Sequence, residues 1–358
     1  MPVGGGAATY YSLLSEQLIR GSIVQKITIV TEKYPGEPGE KFDMHGARRI
    51  VRLFPFRAGG DVGKLKKYFL YFLQNILYRN LPEFFKSNKI DIAIIHSSFH
   101  NQWNMLSPSI REIKKYSVLI SDVRDCQLPE RKLSDLEIYD KIIACSENVK
   151  KHLEKINNLM QKTIQIPIPQ EDLKNLEIHK TETILESLGL DMSEYLLFAG
   201  LIKADKGVDL LLNSYEIYRN KVDKPHKLVL VGTTRDHALA NKAARMKGVV
   251  LAGALPRQNL LTLIQNAAIN VNVSFSEGMP RFCLESLAFN TRVILPQGIP
   301  EFEIYLHDWV AKSQDNPEVI ADQIVLALEN DPPAGYPIEE HYIDNIVHKY
   351  ERLFQKLL

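Results

Sequence analysis

The chain has 358 residues, of which 45% are hydrophobic and 24% charged, and this fits a soluble protein of two ordinary domains rather than one. Its formal net charge of +1 favours neither a nucleic acid nor a membrane surface as a general partner. The three cysteines form no C-x-x-C pair, no apolar run reaches the ~18 residues of a membrane span, and no signal-peptide pattern is visible, so we expect a cytoplasmic protein without disulfides.

The N-terminal half alternates short apolar strands with helices. It begins with a Gly-rich loop, Gly4–Gly6, and a predicted helix from about Thr9 to Arg20. Strands are predicted at Ile27–Thr31, Arg49–Phe54, Ile90–His96, Ser117–Val123 and Lys141–Ser146, and further helices at Lys64–Arg79, Asn101–Lys114 and Glu147–Lys155. Apolar strands that alternate with helices indicate a parallel sheet covered on both faces. A Gly-rich loop normally follows the first strand of such a domain, so we expect that strand to be missing here.

The C-terminal half repeats the alternation after a segment that contains Pro167 and Pro169. This segment resists helix, and we place the domain boundary there. Strands are predicted at Tyr195–Leu201, Lys227–Gly232, Val249–Gly253, Ile269–Ser274 and Arg292–Pro296, with helices starting near Gly207, Asp236, Pro256 and Met279 and closing helices at Pro317–Glu329 and Glu339–Leu358. We therefore predict two doubly wound, Rossmann-like α/β domains that face each other across a cleft: residues 1–166, residues 167–338, and a terminal helix at 339–358 that returns to the first domain.

The strongest local pattern runs from Ser276 to Glu285, directly after the strand at Ile269–Ser274. Pro280 suits the first turn of a helix, and the open N–H groups and dipole at a helix start form an anion site. Glu277 and Glu285 flank that start, where carboxylates can accept hydrogen bonds from sugar hydroxyls. The alternative is that Glu277 caps the helix and that Glu285 is a solvated charge.

Together these residues resemble the retaining glycosyltransferase family 4, which carries the pattern Glu-Gly-x-x-x-x-x-x-Glu. Glu277, Gly278 and Glu285 match it, and 286–294 and 298–301 resemble its continuation. The resemblance implies a GT-B fold, with Glu285 on the ribose, Glu277 on the transferred hexose, and the helix start at Gly278 and Met279 on the diphosphate. Arg281 then either approaches phosphate or acceptor or is an exposed surface arginine.

A second segment, Ala199–Asp209, resembles the family's Gly-Arg-Leu-x-x-Glu-Lys-Gly. Lys206 matches the lysine that neutralises the donor diphosphate, and Gly200 matches the glycine. Leu201 stands where the family has an arginine, so Lys203 or Arg235 has to compensate if the chain is active. Gly232 resembles the Gly-rich turn after the next strand.

In the N-terminal half the resemblance assigns fewer residues. Gly5 and Gly6 resemble a glycine loop against the phosphates, with a chain end as the alternative. His96 resembles a site histidine at a strand end. Arg124 and Asp125 resemble an Arg-Asp variant of a His-Asp pair that faces the cleft; the alternative is an ion pair at a strand end.

The resemblance implies a retaining, metal-independent hexosyltransferase. It needs no cofactor besides a UDP- or GDP-linked sugar donor, and its acceptor is a glycan or a lipid-linked glycan. The helix at Lys64–Arg79 mixes lysines with aromatics and either contacts a membrane peripherally or packs in the first domain. Alternatives are a catalytically weak or inactive GT-B protein that binds a nucleotide-sugar or a partner, and a GT-B epimerase or phosphorylase. An oxidoreductase is disfavoured because no G-x-G-x-x-G follows a strand.

Overall fold

The computed structural model describes two compact units. The described residues are 6–21, 24–33, 40–55, 78–96, 103–124, 126, 129–173 and 181–358. The first unit comprises Met1–Cys145, Val149–Pro169 and Ile343–Leu358, and the second comprises Ser146–Asn148 and Gln170–Tyr342. The predicted boundaries after residues 166 and 338 therefore lie three and four residues early. Gln170 forms an isolated parallel bridge with Tyr342, and its N–H donates to the His341 carbonyl over 2.7 Å, which places both segments in the second unit.

The helices and strands of the first half of the chain follow in order. They are α1 (Gly6–Arg20), β1 (Ile27–Lys33), β2 (Glu40–Asp43), β3 (Arg48–Pro55), α2 (78–87), β4 (Ile92–His96), α3 (Trp103–Ile113), β5 (Val118–Val123), β6 (Lys141–Ala144), α4 (Glu147–Glu154), α5 (Asn157–Met160) and β7 (Thr163–Gln165). A 3-10 segment, Glu130–Ile138, precedes β6. The predicted helix at Lys64–Arg79 lies largely outside the described residues.

The second half continues with elements of similar length. They are α6 (Thr181–Ser187), β8 (Tyr195–Ala199), α7 (Val208–Lys221), β9 (Lys227–Val231), α8 (His237–Arg245), β10 (Val249–Gly253), α9 (Arg257–Asn266), β11 (Ile269–Val271), α10 (Arg281–Ala288), β12 (Val293–Ile294), α11 (Pro300–Tyr305), α12 (Pro317–Glu329) and α13 (Ile343–Leu357). Helices α6 and α11 were not predicted. The predicted strands at Ile269–Ser274 and Arg292–Pro296 are shorter in the structure.

Within its described residues, the first unit has two separate sheets, in the orders β1-β3-β2 and β4-β5-β6-β7. All pairs are parallel except β2 with β3. Strand β2 was missed because it is short and charged and pairs at an edge through its backbone, where an apolar pattern is not needed. Residues 1–5, before α1, lie outside the described residues, so the expected lack of a first strand stays a prediction.

The core of the first unit is built by the first and last helices. Tyr10, Leu14 and Leu18 repeat every four residues along α1 and are buried. They pack with Ile346 and Tyr350 of α13. Each fully buried side chain of this kind stabilises the fold by roughly 1.5–3 kcal/mol. The terminal helix thus belongs to the first unit.

The second unit is a five-stranded parallel sheet in the order β10-β9-β8-β11-β12. The chain starts at β8, builds outward through β9 and β10, and then returns to the other side of β8 with β11. The order therefore reverses between β8 and β11, and such a switch point is where doubly wound sheets bind ligands beyond the carboxyl ends of their strands.

Candidate functional site

The loops that follow β8 and β11 meet at the switch point of the second unit. The Phe275 N–H, after β11, donates to the Asp205 carbonyl, after β8, over 3.1 Å. Gly207 has φ +68° and lies against the Val273 carbonyl, where an added Cβ would come within 2.2 Å of the oxygen. Only glycine permits this approach, so Gly207 holds the two loops together.

Lys206 and Glu277 form an ion pair across these two loops. Lys206 ends a 3-10 turn just before Gly207, and its Nζ lies 2.6 Å from Glu277 Oε1. The side chains are 20% and 16% exposed, so the pair is neither sealed nor fully solvated. The structure therefore brings together two residues that the sequence assigned to the same ligand from positions 71 residues apart.

The helix expected near Met279 begins at Arg281. Pro280 is its N-cap residue and makes no side-chain hydrogen bond to the first turn, so no side chain caps the N–H groups at the start of α10. The preceding loop is held through its carbonyls: Ser146 Oγ donates to Gly278 over 2.8 Å, and Asn148 Nδ2 donates to Glu277 over 3.0 Å. The Met279 side chain is buried.

Glu285 is buried and paired, contrary to the alternative of a solvated helix charge. Its residue exposure is 2%, and its Oε1 accepts from Arg257 Nη1 over 2.6 Å. Arg281 lies farther away, with Nη1 at 3.9 Å from the same oxygen. Arg257 also donates to Glu171 Oε2 from Nε at 3.1 Å and from Nη2 at 2.5 Å. Burial opposes the charge of Arg257, but the two carboxylates outweigh it and raise the Arg257 pKa above its ordinary value.

The predicted glycines Gly200 and Gly232 bring two turns into backbone contact. Gly232 has φ +144°, and an added Cβ would lie 1.8 Å from the Gly200 carbonyl oxygen. The Gly232 N–H donates to Gly253 over 2.8 Å, and the Gly200 N–H donates to Val231 over 2.9 Å. Their role in the structure is close packing of the turns after β8 and β9.

Lys203 and Arg235, the two candidates to replace an arginine at position 201, differ in whether they are already paired with a carboxylate. Leu201 is 37% exposed. Lys203 Nζ is paired with Asp205 Oδ2 at 2.6 Å. Arg235 is exposed and forms no ion pair with any described residue, while its backbone N–H donates to the Ile202 carbonyl over 3.0 Å. Of the two candidates to replace an arginine at position 201, Arg235 is the available one.

Polar residues also meet in the first unit, where β4 and β5 end. His96 is paired in register with Asp122. Asp122 is fully buried, and its Oδ2 accepts from Tyr11 Oη over 2.5 Å and from Arg124 Nη2 over 2.6 Å. The Arg124 guanidinium carbon lies 3.5 Å from the Tyr10 ring centroid.

This cluster is consistent with the alternative reading of Arg124, an ion pair at a strand end. The Tyr10 hydroxyl is hydrogen-bonded to that of Tyr350, and burial raises the pKa of both. Gly5 and Asp125 lie outside the described residues, and Gly6 is the first residue of α1. The sequence predicted neither Asp122, two residues before Arg124, nor its partner Tyr11, which lies 111 residues before Asp122.

Three further features concern metals, cysteines and membranes. The part of the chain that the structure describes holds no group of three or more His, Cys, Asp or Glu side chains arranged to bind a metal ion. Cys126, Cys145 and Cys283 all lie within it, and none is in a disulfide. No helix within the described ranges has the length and apolarity to cross a membrane.

Comparison with known proteins connects the second unit to one family. Residues 193–330 match the family model described as "Glycosyl transferases group 1". A Bacillus subtilis (strain 168) protein, whose name assigns it to teichuronic acid biosynthesis as the glycosyltransferase TuaC, is 27% identical over 154 residues. That alignment spans 43% of this chain and 37% of the relative.

Solved structures resemble the whole chain. An α,α-trehalose-phosphate synthase (UDP-forming) from Burkholderia xenovorans, in complex with glucose-6-phosphate, has a TM-score of 0.73 at 12% identity, over 99% of this chain and 98% of that one. Anabaena HepE, in complex with UDP and glucose, has a TM-score of 0.66 at 11% identity, over 87% of each chain. The chain has the GT-B fold. The comparisons support a group 1 glycosyltransferase.

Proposed function

We propose that the chain transfers a hexose from a UDP- or GDP-linked sugar to a glycan or a lipid-linked glycan. The observation that carries the proposal is the partly exposed Lys206–Glu277 ion pair at the switch point of the second unit. It lies within the segment that matches group 1 glycosyltransferases. Two GT-B neighbours of low identity support the donor class, since one is named as UDP-forming and the other contains UDP and glucose.

The two residues of the ion pair bind different parts of the donor, the diphosphate and the hexose. Lys206 neutralises the charge that develops on the departing diphosphate, together with the N–H groups at the start of α10. Glu277 accepts hydrogen bonds from the hexose hydroxyls. Each side chain neutralises the other, and in this proposal the donor offers both a replacement partner. The resemblance to family 4 adds retention at the anomeric carbon, and the scheme requires no metal.

Arg235 completes the cationic site in this proposal. Leu201 brings no charge where the family has an arginine, and Lys203 is occupied by Asp205. The backbone N–H of Arg235 donates to the carbonyl of Ile202, the residue after Leu201, so the Arg235 backbone lies next to that position. Arg281, at the first turn of α10, adds a third cation beside Glu285.

The acceptor is proposed from chemistry and from the relative. A protein of teichuronic acid biosynthesis shares 27% identity over part of the chain, which favours a polysaccharide or its lipid-linked precursor. We place the protein in the cytoplasm, in peripheral contact with the membrane.

The test is donor consumption and transfer with UDP- and GDP-sugars, measured for the wild type, Lys206→Ala and Glu277→Gln. We expect each variant to lose about 100-fold or more of its turnover, because a contact to the bound donor is lost, with an unchanged melting temperature of the protein alone. The control is Lys242→Ala, which removes an exposed pair with Asp209 on the same unit. Near-normal turnover in both site variants would reject the proposal.

A catalytically weak binding protein is the second candidate, and exposed Leu201 is the observation that favours it. The same assay separates the two functions. Normal donor binding without hydrolysis or transfer, across the whole donor panel, selects the binding protein. Donor turnover without any acceptor would instead indicate an epimerase or phosphorylase.

A further inference from the structure

Arg257 joins two carboxylates that the sequence places far apart. Its Nη1 donates to Glu285, and its Nε and Nη2 donate to Glu171, which lies 86 residues earlier in the chain. We call Glu171, Arg257 and Glu285 the acid–arginine bridge. Nothing in the motif around Glu277 and Glu285 identifies Arg257, which comes from the start of the neighbouring helix α9.

The bridge neutralises a carboxylate that has almost no contact with water. The Glu285 side chain is 3% exposed, and Arg257 is the nearest cation at 2.6 Å. Arg281 at 3.9 Å is too distant for a hydrogen bond. A buried carboxylate that loses its paired cation is strongly unfavourable, so the position of the Glu285 carboxylate depends on Arg257.

The hydrogen bonds to Glu171 and Glu285, and not the helix, explain why an arginine occupies position 257. It is the first residue of α9, where the positive end of the helix dipole disfavours a cation. Two carboxylates within hydrogen-bond distance offset that cost. The bridge is also open on one side, because the side chains of Arg257 and Glu171 are 31% and 42% exposed.

Both arginines make their closest approach to one oxygen of Glu285. Arg257 Nη1 and Arg281 Nη1 each lie nearest to Oε1, so the second oxygen, Oε2, is engaged by neither. A carboxylate held by one oxygen still offers the other to a hydroxyl donor. Vicinal ribose hydroxyls are donors of that kind.

We propose that Arg257 is a positioning residue for the donor: it holds Glu285 by Oε1 so that Oε2 accepts a ribose hydroxyl of the nucleotide, and Glu171 fixes Arg257 in turn. This inference rests on the proposed function, because it assigns Glu285 to the ribose. It adds two residues, Arg257 and Glu171, that act through Glu285 without contacting the reacting atoms.

The experiment is calorimetric titration with UDP and GDP and with their 2′-deoxy and 3′-deoxy analogues. Arg257→Gln should weaken binding of the better ribonucleotide about tenfold, the usual effect of disturbing one charged hydrogen bond. The weakening should fall to about twofold or less for the deoxy analogue that lacks the hydroxyl bound by Glu285. Arg257→Lys should restore part of the affinity, and Glu171→Gln should cause a smaller loss in the same direction.

Two further variants make the outcome decisive. Lys242→Gln, in an exposed ion pair of the same unit, should bind all nucleotides as the wild type does. Glu285→Gln should weaken ribonucleotide binding as much as Arg257→Gln does, and should likewise have little effect on the deoxy analogue that lacks the hydroxyl bound by Glu285. If Arg257→Gln does not fold, the comparison of Arg257→Lys and Glu171→Gln with the wild type carries the test.

The results that overturn the inference differ from those that overturn the function. An Arg257 variant with wild-type affinity, or one whose loss is equal for ribonucleotides and both deoxy analogues, removes the positioning role while the donor site stands. A wild-type protein that binds neither UDP nor GDP overturns the proposed function and the positioning role together.

Discussion

Two polar clusters lie at the carboxyl ends of parallel strands, one in each unit, and they differ in how far solvent reaches their charged groups. In the first unit, Asp122 is fully buried and accepts hydrogen bonds from Tyr11 and Arg124. Helices α1 and α13 pack together in the core of the same unit. In the second unit, Lys206 and Glu277 form a pair that remains 20% and 16% exposed.

Polar residues at strand ends therefore do not identify a ligand site by themselves. Asp122 has side-chain donors from its own unit on Oδ2, so its cluster resembles a structural network. The Lys206–Glu277 pair is reachable by solvent and lies where the strand order reverses. We therefore expect the first cluster to stabilise its unit, and we propose the second for donor binding.

The largest effect expected is on stability, from Asp122→Ala. Removing this carboxylate leaves the guanidinium of Arg124 buried without its partner, which costs about 3–5 kcal/mol of unfolding free energy. Urea unfolding measures it. Asp209→Ala, which breaks an exposed pair with Lys242, should change stability by less than about 1 kcal/mol. Equal effects of the two changes would erase the contrast between the clusters.

Lys206→Ala tests the second cluster with the opposite expectation. Turnover should fall about 100- to 1,000-fold, or about 3–4 kcal/mol of transition-state stabilisation, because one charge on the leaving diphosphate loses its partner. Stability should change by less than about 1 kcal/mol, since the pair is partly solvated. Steady-state kinetics and urea unfolding on one preparation would show whether the two effects separate. A large loss of stability would make this cluster structural as well.

Gly232→Ala examines the backbone that shapes the second cluster. The new Cβ would meet the Gly200 carbonyl at 1.8 Å, so the turn has to shift, at a cost of about 2–3 kcal/mol. Gly253→Ala is the matched control, because Gly253 also has positive φ, +67°, but has open space around it. It should cost about 1 kcal/mol. Thermal unfolding compares them, and equal losses would show that the contact with Gly200 is unimportant.

Arg235→Ala should reduce kcat/KM about tenfold, because a cation near the diphosphate is lost from an exposed position. Lys203→Ala should have less than about a twofold effect, since Lys203 is already bound to Asp205. Kinetics with the best donor decide between them. The reverse order would identify Lys203 as the cation that compensates for Leu201.

The smallest effect is expected from Tyr350→Phe in the first cluster. It removes the hydrogen bond with the Tyr10 hydroxyl and leaves the ring in place, which costs about 1 kcal/mol in unfolding free energy. Turnover per folded molecule should stay within about twofold. A loss of turnover without a loss of stability would instead show that the cluster around Asp122 takes part in the transfer reaction.

Much of the fold could be predicted from the sequence, because apolar strands alternate with amphipathic helices through both halves. The start of α10 after Pro280 and the place of Lys206 after β8 also follow from local pattern. Strand β2 escaped prediction because an edge strand pairs through its backbone.

The partners of the site residues could not be predicted. Arg257 and Glu171 reach Glu285 from segments that carry no shared motif, so only the folded chain shows the bridge. An arginine at the first position of a helix was the one available signal, because a cation is disfavoured there. The burial of Arg124 likewise depends on Tyr10 of α1, which is more than a hundred residues away in the sequence.

The most direct test of the central claim is the change in melting temperature of the wild type and of Lys206→Ala against a panel of UDP- and GDP-sugars. At about 100 times the dissociation constant, a ligand bound only by the folded protein stabilises it by about 2.7 kcal/mol. We predict a clear rise in melting temperature with at least one donor for the wild type, and little or none for Lys206→Ala at the same concentration. Equal shifts in both proteins, or none with any donor, would contradict it.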